Sequence, residues 1–399
     1  MVVDDMNNSL CVLPWMHLAS HPNGGASLCC RSNHTNAVSW AKSDNGELRT
    51  FDNSTLPEII NSQSFIRIRQ EMMDGKQPVE CEGCWRDEAA GLESKRQYEN
   101  KRWEHVVSQL EQTAVLKTPN YRYVELRLGN VCNSACVTCN SFSSSKWYKD
   151  EEALAKKLPW FVLRPLENFK WFENEKFYEE LADLSPNVEE IYINGGEPTL
   201  IKAHFKYLER LIANGQAQKV HLVYSLNMIN IPEQFINLIK QFKRVTINCS
   251  IDDYGDRNYY IRWPSKWEDT VHSLQKLSAL PDNIEWSVCQ TVSIFNAAHL
   301  YKLDTWLFEK YGKMVTYNFV LYPNYLSLAA LPDDYKHEIK ERYSSHITIT
   351  ASKRDEFFTK LDMPHDLALT VKAKEFITSL DDSRGISYKD YIPELQRIL

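Results

Sequence analysis

The chain lacks the features from which export, membrane insertion or electrostatic nucleic-acid binding are usually predicted. No run of 18 consecutive apolar residues occurs, so the sequence predicts no membrane-spanning helix. The first ten residues carry two aspartates and no apolar segment, which argues against a signal peptide. Lysine and arginine form no long run and the net charge is −7, so no nucleic-acid partner is expected. We expect a cytoplasmic protein, and the sequence shows no internal repeat or low-complexity tract.

The overall composition is that of an ordinary globular chain. Its 399 residues are 43% hydrophobic and 25% charged, which suits two domains or one large barrel with an appendage. Ten cysteines in a chain without an export signal are typical of reduced thiols and metal ligands rather than of disulfides. The spacing of these cysteines therefore carries the main functional information.

Three cysteines, Cys132, Cys136 and Cys139, follow an apolar segment that is predicted to be a strand. Three thiols within eight residues cannot all pair with one another, so this spacing is typical of ligands to one soft metal centre. Three ligands for a four-iron cube leave one iron open to a small molecule. Zinc or buried structural cysteines are the alternatives, but zinc sites usually add histidines, and none lies between His105 and His204.

The turn Gly195-Gly196-Glu197-Pro198 begins 56 residues after Cys139, behind a second strand-like segment. On its own this tetrapeptide could be a plain turn. Together with the C-x3-C-x2-C spacing, it resembles the radical S-adenosylmethionine (SAM) superfamily, although Thr138 stands where the family often has an aromatic residue. The resemblance implies a partial (β/α)6 barrel, SAM chelated to the open iron, and reductive cleavage to a 5′-deoxyadenosyl radical that abstracts hydrogen.

The resemblance also implies contacts to SAM. Gly195, Gly196 and Glu197 would hold its amino group, and Arg262 in the segment SIDDYGDRNYYIR would bind its carboxylate, for which a guanidinium is well shaped. The alternative interpretation of Arg262 is a surface arginine. Residues suited to ribose hydroxyls or the methionyl carboxylate, at the ends of the third and fourth strands, are Ser225, Asn227, Ser250 and Asp252. Weaker candidates for adenine or substrate contacts are Gln290 and Tyr322.

A second group of cysteines lies near the N-terminus and comprises Cys11, Cys29 or Cys30, Cys81 and Cys84. The pattern C-x12-G-x4-C with a later C-x2-C resembles the auxiliary-cluster modules called SPASM and twitch domains. The resemblance implies a second, fully ligated 4Fe-4S cluster that relays electrons, in a module that here precedes the barrel instead of following it. If only three cysteines bind, an open iron could hold substrate. A structural zinc site is the alternative.

Two strands, Trp15–Ser20 and Ala26–Cys30, are predicted to form a hairpin around the turn HPNGG, because proline, asparagine and glycine supply turn dihedral angles. Adjacent residues on a strand point to opposite faces, so Cys29 and Cys30 are not both expected to bind the cluster. The glycine spacing favours Cys29.

We expect an α/β fold with four regions: residues 1–84 as a small α+β iron–sulfur module, 85–118 as a solvated helical connector, 119–325 as the partial (β/α)6 radical SAM barrel and 326–399 as a helical segment that caps the barrel or closes over substrate. A helix is predicted over Leu56–Met73, and Cys249 and Cys289 are expected in the core. The six barrel strands are predicted near Tyr121–Leu128, Val188–Ile193, Val220–Leu226, Val245–Ile251, Ile284–Val292 and Val315–Leu321.

The resemblance implies an enzyme that modifies a peptide or protein side chain by oxidation, epimerisation or crosslinking. An external one-electron donor such as flavodoxin or ferredoxin would be needed. Dehydrogenation of a small molecule is the alternative among enzymes. A non-catalytic zinc or iron–sulfur binding protein is the alternative from another class, and fold analogy alone does not identify the substrate.

Overall fold

The computed structural model describes residues 9–32, 37–165, 169–344 and 350–399. The N-terminal stretch that argues against a signal peptide lies mostly outside these ranges, as do parts of the predicted 1–84, 119–325 and 326–399 regions. The strands are β1 (His17–Ser20), β2 (Ala26–Ser27), β3 (Tyr123–Leu128), β4 (Glu190–Gly195), β5 (His221–Leu226), β6 (Arg244–Ser250), β7 (Ile284–Val292) and β8 (Val315–Phe319).

Helices of the described residues surround and follow these strands. They are α1 (Leu13–Met16), α2 (Leu56–Ile60), α3 (Gln63–Met73), α4 (Glu82–Ala89), α5 (Lys95–Arg102), α6 (Glu104–Val107), α7 (Tyr148–Lys157), α8 (Glu175–Asp183), α9 (Ala203–Ala213), α10 (Glu233–Ile239), α11 (Asp256–Ile261), α12 (Trp267–Ser278), α13 (Leu300–Tyr311), α14 (Asp333–Ser344), α15 (Ala351–Leu361), α16 (Leu367–Arg384) and α17 (Tyr388–Tyr391). None of them is long and apolar enough to cross a membrane.

In the described part of the chain, the eight strands form one sheet in the order β2-β1-β3-β4-β5-β6-β7-β8. β1 pairs antiparallel with β2 and parallel with β3, and the pairs β3–β4 and β7–β8 are parallel. From β3 to β8, strands alternate with helices, and helices fill the described C-terminal part. The predicted α/β fold is confirmed, and each of the six predicted barrel strands lies within two residues of its predicted bounds.

Along β5, β6 and β7, buried residues alternate with partly exposed ones, so each strand buries one face. Leu222, Tyr224 and Leu226 illustrate the buried face of β5. Cys249 is buried, as expected. Cys289 lies on the partly exposed face of β7, so its prediction as a core residue is wrong.

The N-terminal hairpin is shorter than predicted. Pro14 stands in the first turn of α1, where its missing N–H costs no helical hydrogen bond, so Trp15 is helical instead of extended. β2 contains only two residues, and Cys29 and Cys30 follow it. The predicted single helix over Leu56–Met73 is two helices, α2 and α3, which are separated at Asn61 and Ser62.

The prediction of a solvated connector is wrong for two of its central charged residues, Arg96 and Glu99, which are buried. Arg96 donates to both carboxylate oxygens of Glu88 and to the carbonyl oxygen of Leu10. Glu99 accepts from Lys95 and from the indole nitrogen of Trp103. Because each buried charge has a partner, α5 packs against the N-terminal segment instead of spanning solvent.

By compactness, the described chain divides into two units that are discontinuous in sequence. The first unit takes its described residues from Met1–Gly129, Phe169–Val223 and Asn237–Val245. The second unit takes its described residues from Asn130–Asn168, Tyr224–Ile236 and Thr246–Leu399. The four-region division stays a prediction, and the candidate sites are described unit by unit.

Candidate functional site

The cysteine loop, residues 132–139 of the second unit, is fixed through its main chain. The amide of Ala135 donates to the carbonyl oxygen of Trp263 over 2.7 Å. The indole nitrogen of Trp147 donates to the carbonyl oxygen of Cys136 over 3.0 Å. Contacts to its main chain from Trp263 and Trp147 therefore help to fix the conformation of the loop.

Two thiols of this loop, those of Cys136 and Cys139, are desolvated. Burial raises the pKa of Cys136 and raises the pKa of Cys139 to about 12. A buried thiolate becomes favourable when a cationic centre binds it and displaces its proton. No disulfide joins any of the ten cysteines, all of which are described. The loop therefore presents thiols whose ionisation depends on a bound cation.

Over the described ranges, no three Cys, His, Asp or Glu side chains converge closely enough to hold a single metal ion. A four-iron cluster makes a different demand, because its thiolates bind separate iron atoms. Cys139 interacts electrostatically with both Cys132 and Cys136. Three thiols of one loop, of which those of Cys136 and Cys139 are desolvated, fit a cube with three protein ligands.

Asn227, which follows β5, also belongs to this loop environment. Its Nδ2 donates to Oδ1 of Asn133 over 2.6 Å and lies 4.0 Å from the Sγ atom of Cys132. Its Oδ1 accepts from the amide of Ile229 over 3.0 Å. Asn227 therefore ties the end of β5 to the cysteine loop, a role that the sequence did not indicate.

Arg262 is held near the cysteine loop by Asp252. Its Nη1 donates to Oδ2 of Asp252 over 2.8 Å, and its side chain is only 11% exposed, so the surface interpretation is wrong. Oδ1 of Asp252 accepts from the amide of Thr291, so both carboxylate oxygens are engaged. Although burial alone would lower it, the pKa of Arg262 is raised by the neighbouring side chains of Cys136 and Asp252.

The Nε–H of Arg262 is buried and has no acceptor among the described residues. An unsatisfied donor on a buried cation is costly unless an acceptor fills the position. A carboxylate matches this donor in both charge and hydrogen bonding. The residues present therefore fit the carboxylate of SAM.

The remaining predicted contacts of the second unit differ in their surroundings. Gln290 is fully buried and donates to the carbonyl oxygen of Asp252 over 2.7 Å, which supports the turn that carries the carboxylate. Ser225 and Ser250 are partly buried near the carboxyl ends of β5 and β6. Tyr322 is 72% exposed, and its hydroxyl accepts from Nη2 of Arg164 over 3.3 Å.

Tyr322 and Cys139 line one cavity, which we call the aromatic cavity. Its wall includes an ion pair between Arg164 and the buried Glu151, with 3.0 Å between Nη1 and Oε1. Lys372 lies over the ring of Trp160, 5.6 Å from its centroid. The aromatic residues that line the cavity are Trp147, Trp160, Phe161, Tyr322, Tyr325 and Phe376. Of these, sequence reasoning singled out only Tyr322.

The glycine-rich turn after β4 belongs to the first unit. Gly195 has φ +124, and a Cβ atom there would lie 2.6 Å from the amide nitrogen of Leu128. Only glycine allows β3 and β4 to approach so closely. The amide of Gly196 donates to the carbonyl oxygen of Gly129 over 3.2 Å. Contact of this turn with SAM stays a prediction.

Glu197 is buried at the end of the same turn. Its Oε1 accepts from the hydroxyl of Thr199 over 2.7 Å and from the Thr199 amide over 3.2 Å. The carboxylate therefore caps the short 3-10 turn Pro198–Leu200. This capping fixes the orientation of the Glu197 carboxylate, which is predicted to bind the amino group of SAM.

A cavity in the first unit is lined by four of the predicted ligands: Cys11, Cys29, Cys81 and Cys84. They come from the segment before α1, the turn after β2, a 3-10 turn and α4. Burial raises the pKa of Cys11 to about 12 and also raises the pKa of Cys81. Cys30 is not among the residues that line this cavity. Four desolvated thiols around one cavity fit a fully ligated cluster.

Two family models match the sequence. The radical SAM superfamily model matches residues 126–284, and the SPASM model, described as an iron–sulfur cluster-binding domain, matches residues 11–85. The chain carries a radical SAM domain preceded by a SPASM domain. Its cofactors are accordingly 4Fe-4S clusters and SAM. The SPASM domain precedes the radical SAM domain, as the cysteine spacing predicted.

No curated protein matches the sequence. Similar solved structures include native anSMEcpe with bound AdoMet, with 17% identity, a TM-score of 0.38 and coverage of 56% of this chain and 59% of that chain. Another is Streptococcus suis SuiB bound to precursor peptide SuiA, with 14% identity, a TM-score of 0.36 and coverage of 89% and 71%. The chain spans about three fifths of the length of anSMEcpe. These likenesses are too low to transfer a substrate.

Proposed function

We propose that this radical SAM protein is an enzyme that cleaves SAM reductively and abstracts a hydrogen atom from a peptide or protein side chain. The observation that carries the proposal is Arg262, a buried guanidinium that Asp252 fixes near the cysteine loop and whose Nε–H lacks an acceptor. A carboxylate-bearing cofactor satisfies this donor.

When bound, the cluster of the cysteine loop supplies the electron that splits SAM into methionine and a 5′-deoxyadenosyl radical. Arg262 binds the methionyl carboxylate, and Asp252 holds the guanidinium in a fixed orientation through an ion pair of 2.8 Å. Asn227 holds the cysteine loop through Asn133.

The aromatic cavity beside Cys139 supports a peptide or protein as the substrate. Its rings offer flat apolar surfaces, and Arg164 and Lys372 offer cations to carbonyl or carboxylate oxygens. Such a surface suits a side chain together with its flanking backbone. Oxidation, epimerisation and crosslinking all begin with the same hydrogen abstraction, so this surface does not distinguish them.

The four-cysteine cavity of the SPASM domain supports a role in electron relay. Four thiolate ligands leave no iron open to substrate, and a closed cluster is suited to passing electrons. Oxidation of a substrate radical needs such an acceptor. An external one-electron donor is required for reductive cleavage of SAM.

The proposal is tested by anaerobic reconstitution followed by iron and zinc analysis and by mass spectrometry of 5′-deoxyadenosine after addition of SAM and dithionite. We expect about eight irons per chain and deoxyadenosine formation. Cys136→Ala should abolish cleavage and leave about four irons. Cys249→Ala is the matched control, because this buried cysteine of β6 lies outside both cysteine groups. Cleavage that persists in Cys136→Ala would overturn the proposal.

A further inference from the structure

A cleft lies in the first unit at the amino ends of β4, β5 and β6. Lys219, Lys243 and Arg244 belong to it and are exposed. We call it the basic cleft. It is lined by Arg102, Trp103, His105, Glu189, Glu190, Lys219, His221, Lys243 and Arg244. The predicted SAM contacts of the same unit instead follow the carboxyl end of β4, so SAM binding does not account for the cleft.

The two acidic residues of the basic cleft are engaged in ion pairs. Glu190 pairs with Arg102 and lies 3.3 Å from Nδ1 of His221. Glu189 pairs with Arg122 over 2.7 Å. The exposed cations therefore dominate the potential of the cleft, although the whole chain carries a net charge of −7. A local basic surface on an acidic protein selects for an acidic partner.

The basic cleft connects inward through stacked rings. Trp103 is 3% exposed, and its ring centroid lies 6.1 Å from that of Tyr123 in a stacked arrangement. Tyr123 stacks on His17 with 4.3 Å between centroids. Nδ1 of His17 donates to the carbonyl oxygen of Leu28 over 2.9 Å, because a carbonyl only accepts. Leu28 is bonded to Cys29, so the path ends at a predicted cluster ligand.

We propose that the basic cleft docks an acidic one-electron carrier protein, and that the path Trp103–Tyr123–His17 carries the electron between this carrier and the SPASM domain. The inference rests on the proposed function in that the four-cysteine cavity must hold an iron–sulfur cluster. The exchange moves one electron and no atoms. When the SPASM domain is reduced by one electron, the redox group of the carrier is oxidised by one electron, and transfer in the other direction reverses both changes. Simple anion binding would not account for the buried ring path.

The test uses an acidic flavodoxin as the probe. The variant Lys219→Glu/Lys243→Glu/Arg244→Glu reverses three exposed charges of the basic cleft. The control Lys117→Glu/Lys149→Glu/Lys176→Glu makes the same net change at exposed lysines outside the cleft. Isothermal titration calorimetry at low salt should show about tenfold weaker flavodoxin binding for the cleft variant only. The difference should shrink at high salt, because screening weakens surface charges.

Stopped-flow absorbance at the iron–sulfur band measures electron exchange. Exchange with flavodoxin should slow in the cleft variant, whereas reduction by dithionite, which needs no docking surface, should keep its rate. Tyr123→Leu should slow exchange at saturating flavodoxin without changing the Kd, because Tyr123 belongs to the ring path and does not line the cleft, with iron content as the check on folding. Exchange at the wild-type rate in that variant would reject the ring path.

Flavodoxin binding that is unaffected in the cleft variant, or equally weakened in the control, would overturn the docking site. Iron analysis and dithionite-driven SAM cleavage decide the proposed function separately, because neither measurement uses the basic cleft. A protein that holds both clusters and cleaves SAM but binds flavodoxin elsewhere would therefore fail this inference alone.

Discussion

At the scale of single residues, Arg262 provides a planar guanidinium that lysine does not reproduce. Lysine keeps the positive charge opposite Asp252 but lacks the second N–H direction that a carboxylate needs. We expect Arg262→Lys to weaken SAM binding about tenfold, measured by isothermal titration calorimetry on cluster-loaded protein. Arg262→Leu leaves a buried carboxylate without its cation, so urea unfolding should show a loss of about 3 to 5 kcal/mol. Unchanged SAM affinity in the lysine variant would contradict the assignment.

Cys29 and Cys30 are neighbours that provide controls for one another. Cys29 lines the cavity that Cys11, Cys81 and Cys84 also line, and Cys30 does not. We expect Cys30→Ala to retain about eight irons per chain and Cys29→Ala to retain about four. Iron analysis after reconstitution measures both. The opposite result would assign the ligand to Cys30.

The sequence indicated the residues whose chemistry is rare and missed those whose role depends on long-range contacts. Three cysteines in eight residues and an arginine within a family-like segment stand out in any chain. Trp160 and Tyr325 do not, because such rings are common in a chain with 11 tryptophans and 20 tyrosines and the local pattern does not mark a ring that lines a cavity. The sequence does not show that the Nε–H of Arg262 lacks an acceptor, because this depends on how the folded chain places Asp252 against Nη1.

At the scale of elements, α16 braces the cysteine loop. Arg384, the last residue of α16, donates from Nε to Oδ2 of Asp150 on α7 over 2.9 Å and from Nη2 to the carbonyl oxygen of Ala135 over 2.7 Å. Its guanidinium also lies over the ring of Trp147, 5.0 Å from the centroid. The sequence predicts a segment that caps the barrel or closes over substrate, and these contacts favour a fixed structural role.

This brace predicts that Arg384→Leu impairs cluster assembly. The substitution leaves Asp150 buried without its cation, at a cost of about 3 to 5 kcal/mol, and frees the carbonyl of Ala135. We expect a lower unfolding midpoint in urea and a loss of up to about four irons per chain. Lys374→Leu is the control, since Lys374 is an exposed residue of the same helix. Equal iron content in both variants would exclude the brace.

Strands could be predicted more accurately than the segment before them. β5, β6 and β7 bury alternate positions, and most residues at those positions are apolar, so the alternation in the sequence marks these strands directly. The charged segment of α5 was predicted to be solvated because a charge pattern reveals neither the partner of Arg96 nor the burial of Glu99. Charged residues enter a core when they are paired, and pairing is a property of the fold.

At the scale of the whole molecule, the order of the two domains could be predicted because each carries its own cysteine spacing. The division into compact units could not. The first unit contains β3 and β4 together with the SPASM domain, and its boundary after Gly129 falls within the predicted barrel region. Compactness depends on contacts between residues that are distant in sequence, and no local motif encodes them.

The pairing of β1 with β3 determines how the two domains can be separated. His17 and Ala19 lie opposite Tyr123 and Glu125, so a strand of the SPASM domain covers a backbone edge of β3, the strand that leads into the matched radical SAM residues. A truncated chain that begins at residue 119 would expose that edge as a template for another molecule. We expect concentration-dependent association of this fragment in light scattering, and a stable monomer would contradict it. A gene fusion or deletion that divides the chain after residue 85 and before Tyr123 would therefore separate two strands that are hydrogen-bonded to each other.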